Sequence, residues 1–261
     1  MSLRTLAAVR YVTPLREGGS LPAVVEGDDA GLYVLKFRGA GQGPNALIAE
    51  IVVGELARAA GLDVPEIVLM ELPADLARTE PDPEIQDLLR ASAGLNVGLD
   101  YLPGATMFDP VVDRPDAALA ASIVWVDALT LNVDRTARNP NLLTWHHRIW
   151  LIDHGAALYF HHGDSDYRLR AHETFPLVRE HVLLPFAAPI EDVDDRLARR
   201  LTPATVEAIL EDVPDAWLET DPAFASSANA RRAAYADFLL CRLAAPRGFV
   251  MEAERARTMH V

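Results

Sequence analysis

The sequence has little of three features that would assign it to a special class of protein. It contains a single cysteine, Cys241, which excludes an intramolecular disulfide and favours a reducing compartment. No stretch approaches the ~20 apolar residues that a membrane-spanning helix requires. The N-terminal residues also lack the long apolar segment of a secretion signal. These absences predict a cytoplasmic protein with no membrane partner.

Basic residues are in the minority as well. The chain has 24 basic and 38 acidic residues, which gives a formal net charge of -14. Because such a surface repels the phosphates of nucleic acids and of anionic lipids, we expect no nucleic-acid partner. Half of the 261 residues are hydrophobic, at 50%. A chain of this length can therefore bury the core of one domain with two lobes, or of two small domains.

The first hundred residues mix strand and helix patterns. Two short apolar runs, at 21–26 and 31–37, flank a turn and predict a β-hairpin. Residues 46–60 have helical periodicity and are followed by Gly61, a suitable C-terminal cap. Further elements are predicted as strands at 66–71 and 95–102 and as a helix at 81–93.

The second part of the chain is mostly helical in its pattern. Residues 117–131 are apolar on most sides and predict a buried helix. Further elements are predicted as strands at 142–145 and 149–152, and as helices at 191–200, 205–212 and from 227 to about 255. We therefore predict an α+β fold with a β-rich lobe over residues 1–104 and a mostly helical lobe over residues 105–261.

The densest polar segment lies between the buried helix and the strands that follow it. It reads Asn-Val-Asp-Arg-Thr-Ala-Arg-Asn-Pro-Asn over residues 132–141, and Leu-Ile-Asp-His-Gly follows at 151–155. An Asp, an Asn five residues later and an Asp at a strand end is the order found in protein-kinase-type enzymes. Asp134, Asn139 and Asp153 fill these positions and predict a site for ATP and Mg²⁺. Asn141 is an alternative to Asn139, and turn formation alone would also favour Asp and Asn here.

A lysine in the first part supplies a candidate phosphate ligand. Lys36 lies inside an apolar strand, where lysine is seldom buried unpaired. Glu50, on the next helix, is a candidate partner, and the pair corresponds to the lysine and glutamate that hold ATP phosphates in kinases. Glu55 is an alternative acid on the same helix. Gly19 and Ser20 precede a predicted strand, where backbone amides can approach phosphates, although a tight hairpin explains them nearly as well.

Four segments together resemble bacterial HipA-like kinases. They are residues 33–43, 94–104, 131–143 and 151–156, and the last is also similar to the related phosphatidylinositol kinases. The resemblance implies a two-lobed protein-kinase-like fold that binds ATP between the lobes, with serine/threonine kinase activity. The chain differs from the toxin kinases of this family in being shorter and in having Thr136 where they have a histidine.

The resemblance also implies a role for each matching residue. Asp134 would be the catalytic acid/base, Asn139 and Asp153 would bind the metal, and Lys36 would bind phosphate while Glu50 orients it. The adenine would contact the backbone of a hinge that consists of Leu99, Asp100, Tyr101 and Leu102. We therefore expect a kinase that uses ATP and Mg²⁺ and phosphorylates a Ser or Thr of itself or of a small partner protein. The alternatives are a nucleotide-binding pseudokinase that regulates a partner, and a kinase of sugars or antibiotic-like alcohols.

Overall fold

Five strands in the first hundred residues close into a barrel. The computed structural model describes residues 2–15, 21–41, 43–162, 166–220 and 227–259. The strands are β1 (Thr5–Pro14), β2 (Ala23–Gly27), β3 (Leu32–Lys36), β4 (Ile67–Leu72) and β5 (Gly94–Asp100). Their order is β1-β2-β3-β5-β4, and a parallel pairing of β1 with β4 closes the barrel. The antiparallel pairing of β2 with β3 confirms the predicted hairpin.

Strand alternation decides which side chains of β3 fill the barrel. Tyr33 and Leu35 are buried in its interior, in the same cluster as Val68 and Met70. Because neighbouring side chains of a strand point to opposite faces, Lys36 leaves the barrel on the other side. A 3-10 helix (Ala74–Thr79) and helix α2 (Pro83–Ala91) cover this apolar cluster.

Helix α1 (Pro44–Ala60) connects the barrel to the rest of the protein. Pro44 occupies its first turn, where a missing N–H costs nothing, and Gly61 ends it with a left-handed φ of 93°. Most of its side chains are buried, because one side packs on the barrel and the other on the helices that follow. The predicted helix at 46–60 and its cap are confirmed.

The rest of the described chain is helical apart from one small sheet. The sheet consists of β6 (Thr106–Met107), β7 (Leu142–Trp145) and β8 (Arg148–Leu151). The helices are α3 (Ala117–Thr130), α4 (Tyr167–Ala171), α5 (Glu191–Arg200), α6 (Pro203–Glu211), α7 (Asp215–Leu218), α8 (Ala228–Leu243) and α9 (Gly248–Thr258), and three further 3-10 helices span Tyr159–His162, Pro176–Glu180 and Leu184–Phe186. Asp116 caps α3 by accepting from the backbone of Ala118 and Leu119. None of the described helices is long and apolar enough to cross a lipid bilayer.

Two sequence-based expectations differ from the structure. The prediction of a single long helix from 227 to about 255 is wrong, because the chain forms α8 and α9 with a break between them. Pro246 lies in this break, and proline lacks the N–H of a helix and disfavours a helical residue before it. Strand β1 was not predicted. Most of its residues are exposed or half-buried, so its apolar alternation is weak.

One apolar cluster joins the two parts of the chain. It runs from α1 and β5 through α3 into α8 and α9, and it includes Val52, Leu99, Trp125 and Phe238. Trp125 is fully buried, in edge contact with Phe249 of α9. The barrel and the helices therefore share a core, and the site described next lies where they meet.

Candidate active site

The loop after α3 is tied to the last turns of that helix. Leu131 ends α3 in a left-handed conformation, with φ of 56°. Asn132 then donates from its side chain to Asp127 Oδ1 at 2.8 Å, and Arg135 donates from Nε to Asp127 Oδ2 at 2.5 Å. Asp127 and Arg135 are both buried. The loop that carries Asp134 is therefore held on a rigid base.

Two asparagines converge on the Asp134 carboxylate. Asn139 Nδ2 donates to Asp134 Oδ2 at 2.8 Å, and Asn141 Nδ2 approaches the same oxygen at 3.3 Å. The backbone N–H of Asp134 donates to Asn132 Oδ1 at 3.2 Å. Both amide nitrogens face Asp134, so each Oδ1 is directed elsewhere. Asn139 and Asn141 thus both present an amide oxygen that could bind a cation.

Asp153 follows β8 and meets Lys36 from the barrel. Lys36 Nζ lies 2.7 Å from Asp153 Oδ1, and the Lys36 side chain is only 12% exposed. Asp153 has a φ of 55°, a left-handed conformation that costs a non-glycine residue about 1–2 kcal/mol. The backbone N–H of Ile152 donates to the carbonyl of Asn141 at 3.1 Å and fixes this turn to the loop of Asp134. The ion pair between Lys36 and Asp153 thus joins the barrel to the helical part.

Glu50 of α1 binds the segment after Asp153. Its Oε2 accepts a hydrogen bond from the backbone N–H of His154 at 2.8 Å, and its Oε1 lies 3.4 Å from His154 Nδ1. Burial raises the pKa of Glu50, but Lys36 and His154 outweigh it and hold the pKa at about 2. Burial lowers the pKa of Lys36, but Glu50, Asp153 and Asp134 outweigh it and raise the pKa overall. Lys36 and Glu50 therefore interact as charges.

The direct contacts of this cluster differ from the pairing that the sequence suggested. In the described structure the ion pair of Lys36 is made with Asp153, and Glu50 makes its hydrogen bond to the turn that carries Asp153. The alternative acid, Glu55, forms its ion pair with Arg58 at 3.3 Å. Of the two helix acids, Glu50 is the one whose charge acts on Lys36.

Some backbone N–H groups of the expected hinge already donate hydrogen bonds to the protein itself. The N–H of Asp100 donates to the carbonyl of Glu66 at 2.8 Å, and that of Tyr101 donates to the carbonyl of Leu32 at 2.9 Å. Leu99 is paired inside the barrel, opposite Val34 and Ile67. Within the described ranges the N–H of Leu102 has no protein acceptor, which leaves it as the unpaired amide of the expected hinge. Gly19 and Ser20 lie outside the described residues.

The donor set suits a hard divalent cation. Carboxylate and amide oxygens are the ligands that Mg²⁺ prefers, and it usually completes its shell with water and phosphate oxygens. The Asp153 carboxylate is 42% exposed, so it can take up a cation in addition to its contact with Lys36. Asp153, Asn139 and Asn141 therefore supply the type of oxygen ligand that such a site requires.

Sequence reasoning missed two residues and one signal. Asp127 and His181 join the site from a helix and from a distant loop, with His181 Nε2 2.9 Å from Asp127 Oδ2. Asp127 could have been found as the single charged residue within α3. His181 carries no such signal. The composition also isolates Lys36, because it is the only lysine and the other 23 basic residues are arginines. Since an ammonium and a guanidinium are not interchangeable, a lone lysine marks a position with a special requirement.

Comparison with family models identifies the family of this chain. The family model described as HipA-like kinase matches residues 9–244, which is most of the chain. The chain belongs to the HipA-like kinase family. Among curated proteins, none matches this family member significantly.

Two crystal structures of kinases are similar in fold to this chain. The crystal structure of the Helicobacter pylori proinflammatory kinase CtkA has a TM-score of 0.55 and 13% identity, and the match covers 98% of this chain and 99% of that one. At such identity the likeness shows a shared fold. The Golgi casein kinase with Mn/ADP bound has a TM-score of 0.48 and 12% identity, over 98% of this chain and 73% of that one.

Proposed function

We propose that this protein is an ATP- and Mg²⁺-dependent kinase that phosphorylates a serine or threonine hydroxyl of a protein. The observation that carries the proposal is the contact of Lys36 with Asp153 at 2.7 Å, with Asp134 close enough to raise the pKa of the same lysine. The ammonium of Lys36 from the barrel is thus in contact with a candidate metal-binding carboxylate and within electrostatic range of a candidate base. Phosphoryl transfer requires little more than such positioning and charge.

The residues would divide the reaction as follows. ATP would lie between a barrel lobe and a helical lobe, with its phosphates at Lys36 and its adenine at the N–H of Leu102. A divalent cation held by Asp153 and Asn139 or Asn141 would neutralise charge on the phosphates. Asp134 would orient the acceptor hydroxyl and take its proton. A bond forms between that oxygen and the γ-phosphorus, the bond from the γ-phosphorus to the bridging oxygen breaks, and ADP leaves.

Intact-mass spectrometry tests the proposal directly. The chain is incubated with ATP and Mg²⁺, alone and with dephosphorylated casein or histone as generic protein acceptors. We expect phosphate on the chain or on an acceptor, and we expect Asp134→Ala to reduce the rate by about 10²–10⁴-fold because the base is lost. The matched control is Asp75→Ala, since Asp75 is an exposed aspartate whose ion pair is with Arg78.

Each other outcome has a defined meaning. Equal phosphorylation by the wild type and by Asp134→Ala contradicts the role of Asp134. Stabilisation of the fold by ATP and Mg²⁺ without transfer to any acceptor indicates a pseudokinase. Transfer only to sugars or antibiotic-like alcohols indicates a small-molecule kinase, and Ser/Thr specificity would then be wrong.

A further inference from the structure

A buried cluster of three titratable side chains lies directly beneath the loop that carries Asp134. It consists of Asp127 from α3, Arg135 from the loop, and His181, which follows the 3-10 helix Pro176–Glu180. All three are buried, at 0%, 1% and 6% exposure. Asp127 Oδ2 accepts from Arg135 Nε at 2.5 Å and from His181 Nε2 at 2.9 Å. The phosphoryl-transfer chemistry proposed above assigns no role to Asp127 or His181.

The hydrogen bonds of His181 select one protonation state. The backbone N–H of Leu183 points at His181 Nδ1 from 3.0 Å, and a backbone N–H can only donate. Nδ1 must therefore be an unprotonated acceptor, and the ring proton lies on Nε2, where it is donated to Asp127. Burial lowers the pKa of His181; Asp127 opposes this and Arg135 reinforces it, and the pKa lies below its ordinary value. His181 is thus neutral, in its Nε2–H form.

Backbone contacts also attach the chain around His181 to the loop that carries Asp134. Thr136 and His181 form an isolated antiparallel bridge, and the N–H of Val182 donates to the carbonyl of Arg135 at 3.1 Å. Thr136 and Asn139 exchange two backbone hydrogen bonds, at 3.0 and 3.2 Å. A shift of His181 would therefore also move the loop from Thr136 to Asn139. The side chains of Asp134 and Asn139, on either side of this loop, would move with it.

Asp127 is also connected to Asp134 through two hydrogen bonds of Asn132. Its Oδ1 accepts from Asn132 Nδ2 at 2.8 Å, and Asn132 Oδ1 in turn accepts from the N–H of Asp134 at 3.2 Å. A second proton on His181 would place two donors, Nδ1–H and the N–H of Leu183, against each other. It would also add a positive charge beside Arg135. Both changes would open the contact between residues 181–183 and the loop.

We propose that His181, acting through Asp127 as a neutral Nε2–H donor, is a positioning residue that holds the Asp134 carboxylate for phosphoryl transfer. This inference rests on the proposed kinase function and adds a requirement to it. His181 is buried beneath the loop, with Asp127 and Leu183 as its hydrogen-bond partners, so it would touch neither the nucleotide nor the acceptor. Its loss should therefore lower the rate of transfer and leave the binding of ATP and Mg²⁺ unchanged.

The kinetic test uses His181→Gln in the full chain. Glutamine is neutral and keeps a donor for Asp127, so the substitution leaves no uncompensated charge and should fold. Because a misplacement of about 1 Å can cost 10²-fold, we expect transfer to be slower by about 10- to 100-fold, with the KM for ATP within about 2-fold. The matched control is His172→Gln, which should transfer at the wild-type rate because His172 is exposed and its ring lies 3.7 Å from Cys241 Sγ, away from the Asp127 cluster.

A second measurement on the wild type does not depend on activity. Long-range ¹H–¹⁵N spectra of the labelled protein distinguish the two neutral tautomers and the charged form of each of its eight histidines. The signals missing from His181→Gln identify His181. We expect an unprotonated Nδ1 and a protonated Nε2 at neutral pH.

Four results would overturn the proposal. The first is a charged or Nδ1–H form of His181. The others concern His181→Gln: transfer at the wild-type rate, a loss of ATP binding as large as the loss of rate, or failure to fold. A wild-type chain that transfers no phosphate would instead overturn the proposed kinase function, and the role of His181 with it. The tautomer would still report whether the buried contact forms.

Discussion

At the scale of single residues, Lys36 combines a unique side chain with a central position. It is the only lysine of the chain, and its ammonium meets Asp153 at 2.7 Å under the charge of Glu50. A guanidinium at this place would be bulkier and would spread its charge over a planar fork. The use of arginine at every other basic position indicates that a compact ammonium is required here.

This uniqueness allows a specific labelling experiment. An ATP derivative with an acyl phosphate at its γ-end transfers the acyl group to a nearby lysine amine, forming an amide and releasing ATP. We expect one adduct, at Lys36, and protection by excess ATP. Lys36→Arg should take no label at this position. Labelling that ATP does not prevent would contradict a phosphate-binding role for Lys36.

Glu50 predicts a pH dependence of stability at the same scale. Its pKa is lowered from an ordinary 4.5 to about 2 in the folded protein, so folding favours its ionised form. The resulting stabilisation is present above the ordinary pKa and is lost as the pH falls towards the folded pKa. The difference in free energy of unfolding between the wild type and Glu50→Gln should therefore be largest above pH ~5 and shrink in acid.

Urea unfolding at a series of pH values measures this difference. Glu207→Gln is the matched control, because Glu207 is an exposed helix residue, and such surface changes usually stay within about 0.5 kcal/mol. Its difference from the wild type should be small and independent of pH. A constant difference for Glu50→Gln would show that its ionised form is not favoured by folding.

At the scale of elements, Gly54 lets helix α1 approach the barrel closely. A Cβ built on Gly54 would lie 2.5 Å from Ile67 Cδ1 of β4, and it would also approach His154. In an exposed helix interior, Gly→Ala stabilises by about 1 kcal/mol. Here we expect the opposite sign, a loss of about 1–3 kcal/mol, because the extra methyl overfills a packed interface.

A double-mutant cycle checks the cause. Ile67→Val removes the clashing Cδ1, so Gly54→Ala should cost less in the Ile67→Val background than in the wild type. The free energies of unfolding of the four proteins give the interaction between the two sites. A stabilising Gly54→Ala would contradict the close approach of α1 to β4.

At the scale of the whole molecule, the shared core predicts cooperative unfolding. The apolar cluster that contains α1 and β5 continues through α3 into α8 and α9. A fragment that ended near residue 104 would expose the side of α1 that packs on the helices. We therefore expect the barrel and the helices to unfold in one transition, despite their different architecture.

Two probes separate this from independent unfolding. All four tryptophans lie after residue 104, so their fluorescence reports the helical part. Hydrogen exchange of β2 to β5 reports the barrel. The two probes should give the same urea midpoint, and ATP with Mg²⁺ should raise both together if it binds where the two parts meet. Separate midpoints would mean that the parts are independent units.

Local signals explain which elements were predicted correctly. The helix at 46–60 has a periodic apolar pattern and ends at a glycine, and both are properties of adjacent residues. The expectation for 227–255 was wrong because helical composition continues across Pro246, where the backbone requirements of proline outweigh it. Strand β1 escaped prediction because most of its residues are exposed or half-buried, and its pairing with β4 joins segments more than fifty residues apart.

The sequence by itself determined that Asp134 and Asn139 lie close together, since they are five residues apart on one short loop. It also determined Lys36 as a candidate, because a lysine in an apolar strand needs an anion. Only the tertiary structure decided which anion Lys36 contacts, where Glu50 makes its hydrogen bond, and that His181 meets Asp127. The two residues of each contact lie at least 54 positions apart in the sequence, and in two of the three contacts they lie more than 100 positions apart. They form because burial in a common core brings together segments whose sequences carry no record of one another.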